Sequence, residues 1–133
     1  MPSGKKHYRL TLADVSAAHQ RALSFGGLDG IANPGMIEAA IARPYTGYYR
    51  TIERKAAALT ESMSSNHGFL DGNKRTTLIL LHVLLSKSGY KLSPTDGDPP
   101  LQVAVEEMIL AIVNHEMDYD GLVEWFKLRI EPV

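Results

Sequence analysis

The ten residues from His67 to Thr76, "HGFLDGNKRT", place a histidine, a carboxylate, an amide and two cations in one short run. The types and their order suggest chemistry on a phosphorylated ligand. Periodicity predicts a helix beginning at Asn73, and the first N–H groups of a helix have no intrahelical partner while its dipole puts partial positive charge there. Gly72, Asn73, Lys74 and Arg75 therefore offer donors to an anion, and phosphate is the natural occupant. Lys74 and Arg75 add full charges beside the amides.

Asp71 fits such a site only if a cation lies between it and the anion. Mg²⁺ would serve, because it takes one or two carboxylates and completes its shell with phosphate oxygens and water. His67 precedes Asp71 by four residues, and its ordinary pKa near 6.5 lets it take a proton from a hydroxyl at neutral pH. Phe69 alternates with the polar positions and is expected to pin the loop to the core. Base, metal ligand, amides and cations together suit transfer of a phosphorus-centred group from a nucleotide to a hydroxyl. The run lacks the G-x-x-x-x-G-K-[ST] spacing of a Walker A loop, and no strand precedes it.

Helices must hold this loop. "TLADVSAAHQRALSF" opens on a capping-box pattern, Thr11 with Asp14, carries apolar residues at helical spacing, and stops at Gly26-Gly27. "NPGMIEAAIARP" has Asn33 as N-cap, Pro34 at the first helical position and Pro44 as terminator. "YTGYYR" suits a hairpin or flap better than a helix. A third helix is expected from about Thr51 to Asn66, and a fourth from Asn73 to about Ser88, apolar almost all round and hence central, ended by Gly89. His82 within it is expected to be a hydrogen-bonded core histidine. Tyr90 to Leu92 reads as a short extended piece, and Pro94 to Pro100 as a turn. "LQVAVEEMILAIVN" makes a fifth helix. A sixth starts near Tyr119, capped by Asp118 or Asp120, and brings Leu122, Trp125, Phe126 and Ile130 to the core. The expected fold class is an all-α, six-helix bundle with a central buried helix, residues 1–133 forming one domain.

A chain of 133 residues that is 44% hydrophobic and 22% charged has an ordinary globular profile. Fourteen Lys and Arg against fifteen Asp and Glu leave a net charge of −1, so nucleic acid is not expected as a direct partner. No apolar segment follows Lys5-Lys6, a solvated pair, and none is long enough to cross a bilayer. A cytoplasmic protein without a membrane partner is expected, and the absence of cysteine agrees with a reducing compartment. His19 and His115 have no H-E-x-x-H partner, and "TDGDPP" lacks the closing glutamate of a calcium loop, so it reads as a turn.

"HGFLDGNKR" resembles the signature of the Doc toxins, H-x-F-x-D-[AG]-N-K-R, the kinase branch of the Fic/Doc superfamily. "GGLDGIANPGMIEAAIARP" and "ERKAAALTESMSSNHGF" also look like the family's preceding segments. The resemblance implies a toxin of a toxin–antitoxin pair that uses ATP and Mg²⁺ to phosphorylate a threonine of elongation factor Tu, arresting translation, with a Phd-like antitoxin as its partner. Carried over by position, His67 is the base, Asp71 the Mg²⁺ ligand, and Asn73, Lys74 and Arg75 the phosphate binders. Tyr48 and Tyr49 fall where the superfamily has a target-docking flap, though they read equally well as core aromatics. AMP-transferring Fic enzymes carry H-P-F-x-[DE]-G-N-G-R-x-x-R, whereas this chain has Gly68 for the proline, Lys74 for the second glycine and Leu78 for the last arginine. Two alternatives stay open: AMP transfer from the same site, and a non-catalytic module that binds an antitoxin or represses transcription with it.

Overall fold

The computed structural model describes residues 7–24, 34–64 and 73–133. Within them the chain forms α1 (Leu12–Leu23), α2 (Pro34–Ala42), a 3₁₀ turn (Arg43–Tyr45), α3 (Ile52–Ser64), α4 (Asn73–Lys87), β1 (Tyr90–Leu92), α5 (Leu101–Val113), α6 (Tyr119–Arg129) and β2 (Ile130–Pro132). The fold is all-α, with six helices among the described residues.

Local signals in the sequence explain most boundaries. Thr11 caps α1 by accepting from the Asp14 amide while the Asp14 carboxylate takes the Thr11 N–H, the reciprocal box expected. Asp118, not Asp120, caps α6, accepting from the Gly121 amide at 2.8 Å. Gly89 ends α4 at φ +85°, a conformation that costs a residue with a Cβ. Pro44 does not stop the chain after α2. It sits inside the 3₁₀ turn, because proline's fixed φ is compatible with a first helical turn.

The core is built around α3 and α4. Ala56, Ala57, Ala58 and Leu59 on α3 are fully buried, and the small side chains let neighbouring elements close in. α3 packs on α2, α4, α5 and α6, and α4 packs on α1, α3 and β1. Leu80, Leu81, Leu84 and Leu85 anchor α4 in one cluster with Leu59, Leu122 and Phe126. Burying each such side chain contributes about 1.5–3 kcal/mol.

Three expectations need correction. Ile130 packs against the core as expected, but from outside the sixth helix: it caps α6 in extended conformation and opens β2. It pairs with Leu92 in an antiparallel ribbon, Tyr90 opposite Pro132. "YTGYYR" forms no hairpin: Tyr45 finishes the 3₁₀ turn and bends follow it. His82 is exposed rather than a core residue. Its face of α4 also carries Leu78, Ile79 and Val83, only half-buried, because no described helix covers that side. Asn33, Gly26 and Gly27 lie outside the described residues.

Candidate functional site

α3 and α4 are joined by residues 65–72, so the expected site belongs to their junction. His67, Phe69, Asp71 and Gly72 lie outside the described residues. Asn73 opens α4. Lys74 and Arg75 follow in its first turn and are exposed, whereas Thr76 and Thr77 are fully buried. Two expected phosphate binders therefore stand in solvent at the start of a helix whose next turns are fixed in the core.

The junction carries unmet hydrogen-bonding capacity. Among the described residues, the Thr76 hydroxyl and that of Ser64 in the last turn of α3 are buried without a hydrogen-bond partner. A buried polar group left unsatisfied costs about 1–3 kcal/mol. Nothing in "KRTT" marked Thr76 as special, because only packing determines that its hydroxyl is enclosed. Exposed cations at a helix N-terminus suit a polyphosphate. Among the described residues no group of three or more His, Asp or Glu is placed to hold a metal ion.

Arg43 is a second feature the sequence did not disclose. Its Nη1 meets Glu61 Oε1 at 2.8 Å and donates to Ser62 Oγ at 2.9 Å, and its Nε donates to the Tyr49 hydroxyl at 2.9 Å. The guanidinium lies over the Tyr49 and Tyr119 rings, 5.2 and 5.6 Å from their centroids. One side chain thus ties the segment after the 3₁₀ turn to α3 and α6. It leaves Tyr49 half-buried and Tyr48 83% exposed, so neither tyrosine is a core aromatic.

The family described as Fic/DOC matches residues 9–85, more than half of the chain. The chain belongs to the Fic/Doc family. A relative named Toxin Doc, from Mycolicibacterium smegmatis (strain ATCC 700084 / mc(2)155), is 30% identical over 105 residues, covering 75% of this chain and 78% of the relative. The Fic/Doc match runs from just before α1 to the last turns of α4, so it takes in the junction and the Arg43 turn and ends before α5 and α6. No helix among the described residues is long and apolar enough to cross a membrane.

Proposed function

We propose that this Fic/Doc protein is the toxin of a toxin–antitoxin pair and transfers phosphate from ATP to a threonine hydroxyl of a translation factor, elongation factor Tu being the expected target. The observation that carries the reading is Lys74 with Arg75, exposed on the first turn of α4. Lys74 stands where AMP-transferring Fic enzymes have glycine. Its similarity to a protein named Toxin Doc supports the toxin assignment.

In this reading His67 takes the proton of the acceptor hydroxyl, and the amides of Gly72 and Asn73 with the Lys74 and Arg75 side chains hold phosphate oxygens. Asp71 holds Mg²⁺. Bound ATP and Mg²⁺ supply the phosphoryl group and neutralise its charge. A separate antitoxin chain, Phd-like, regulates the enzyme, and the setting is the cytoplasm with no direct role for nucleic acid.

Incubation with ATP, Mg²⁺ and purified elongation factor Tu, followed by intact-mass measurement, tests the reading. Addition of one phosphate is expected, lost in His67→Ala. An adenylyl adduct would move the activity to AMP transfer, and an unmodified target beside an active control enzyme would refute both.

A further inference from the structure

We propose that Lys55 is a site of covalent acylation, its amine attacking small acyl phosphates while the imidazole of His7 receives the proton that leaves the nitrogen. Lys55 lies in the first turn of α3 and is half-buried. Its Nζ lies 2.9 Å from His7 Nδ1 and donates to the Arg50 carbonyl at 3.4 Å. An ammonium has only protons to offer, so Nδ1 accepts and the imidazole proton sits on Nε2.

Three features of this setting oppose the charged form of the amine. Reaching the Arg50 carbonyl carries Nζ back past Ile52, to the end of α3 where the helix dipole is positive and a cation is disfavoured. Both acceptors are uncharged while His7 is neutral, and among the described residues Nζ pairs with no carboxylate. Glu53, the acidic residue of this turn, acts on His7 instead. Partial burial strips water from the ammonium and holds the Lys55 pKa below the ordinary 10.5. The neutral amine, by contrast, is matched: its two protons meet two acceptors, and its lone pair stays available for attack.

The other described lysines stand in settings that keep the ammonium. Lys91 meets Glu131 at 3.5 Å and Lys127 meets Glu124 at 3.9 Å. Lys87 lies 4.8 Å over the Tyr8 ring, whose hydroxyl is bonded to the Asp14 carboxylate. Lys74 stands in solvent. In the acylation step the Nζ lone pair attacks the acyl carbon, the C–O bond to phosphate breaks, and phosphate leaves with the bonding electrons. The proton shed by nitrogen passes to His7 Nδ1 and from there to the departing phosphate, leaving an uncharged amide on Lys55. That amide has one N–H where the amine had two, so one of the two acceptors is released. Lys55 lies roughly 14 Å along α3 from Ser64 at 1.5 Å per residue, and the inference does not depend on the transfer chemistry proposed for the α4 start.

The test incubates the full chain with acetyl phosphate and follows the initial rate at each lysine by peptide mass spectrometry, from about pH 7 to about pH 10. Acetylation at Lys55 should run several times faster than at Lys87, Lys91 and Lys127, and its rate should level off at a lower pH than theirs. In the acetylated protein the His7 ring should titrate at a higher midpoint, because of the burial and the Lys55 charge that hold it down only the burial remains. His7→Glu sets a carboxylate against the amine and should drop the Lys55 rate below that of the other lysines. Unfolding would instead bring Lys55 level with them, so the two outcomes are distinct. Lys55 reacting no faster than the paired lysines, or at a rate that His7→Glu leaves unchanged, would overturn the proposal.

Discussion

Arg129 holds Asp98 with two parallel hydrogen bonds, Nε to Oδ2 at 3.0 Å and Nη2 to Oδ1 at 2.7 Å. The side chains are only 10% and 12% exposed. The guanidinium also lies 4.2 Å from the Trp125 ring centroid, and its Nη1 donates to the Trp125 carbonyl. Thr95 adds a backbone donor to the same carboxylate at 2.8 Å. The turn before α5 is thereby fastened to the end of α6.

These bonds, those from Arg129 first and that from the Thr95 amide second, hold the Asp98 pKa down at about 2 against an ordinary 3.8. A depressed carboxylate contributes stability that is fully present above its unfolded pKa and is lost as the proton binds. Denaturant midpoints measured from pH 7 downward should therefore fall between about pH 4 and pH 2. Asp98→Asn should be less stable at pH 7 and lose that part of the acid slope. A slope unchanged in the variant would mean the pair does not hold the fold in solution.

His7 predicts a second pH effect of different origin. Burial first, and then the charge of Lys55, whose Nζ lies 2.9 Å from His7 Nδ1, push the His7 pKa below 6.5, while Glu53 opposes them. The folded state disfavours the charged imidazole, so this contribution is present above pH 6.5 and declines as pH falls from there through the folded pKa. An NMR titration of the His7 ring should give a midpoint below 6.5. Lys55→Met should raise that midpoint without restoring the ordinary value, because burial remains. A wild-type midpoint at or above 6.5 would refute the assignment.

Much of this fold was legible because its signals are local. Thr11 with Asp14, Pro34, Gly89 and Asp118 each act within a turn of where they stand, so the helix ends could be read from neighbouring residues. The exposure of His82 and the extended backbone of Ile130 could not be read that way. Apolar neighbours imply burial only if another element covers that face, and which face of α4 stays open is a tertiary fact. The β1–β2 ribbon and the Arg129–Asp98 grip join residues more than thirty positions apart, a separation at which periodicity carries no information. At the site, the sequence singled out Lys74 and Arg75 by type, and both are exposed in the first turn of α4. Thr76 was missed because a buried orphan hydroxyl is a property of packing.

The segment before α1 depends on Tyr45. Its hydroxyl accepts from the Leu10 amide at 3.0 Å and donates to the Tyr8 carbonyl at 2.6 Å, while the Tyr8 amide donates to Ser88 Oγ at 2.8 Å. Tyr45→Phe leaves both backbone groups unmet and should cost about 1–3 kcal/mol in chemical denaturation. Hydrogen exchange at Leu10 should accelerate with it. Wild-type stability in the variant would show that water replaces the hydroxyl at no cost.

Thr76 and its two neighbours separate stability from ligand binding at the α4 start. A buried hydroxyl without a partner is a net cost, so Thr76→Val, which keeps the shape and removes the orphan, should raise unfolding free energy by about 1 kcal/mol. A loss instead would mean the hydroxyl is satisfied in solution. Lys74→Ala and Arg75→Ala remove exposed side chains and should leave stability within about 0.5 kcal/mol of wild type. Each removes a charge-assisted bond to phosphate, though, and at about 1.5–3 kcal/mol apiece calorimetry should record ATP affinity falling roughly 10- to 100-fold. If both variants bind ATP as wild type does, the exposed cations of α4 are not phosphate ligands, and the transfer reading loses its support.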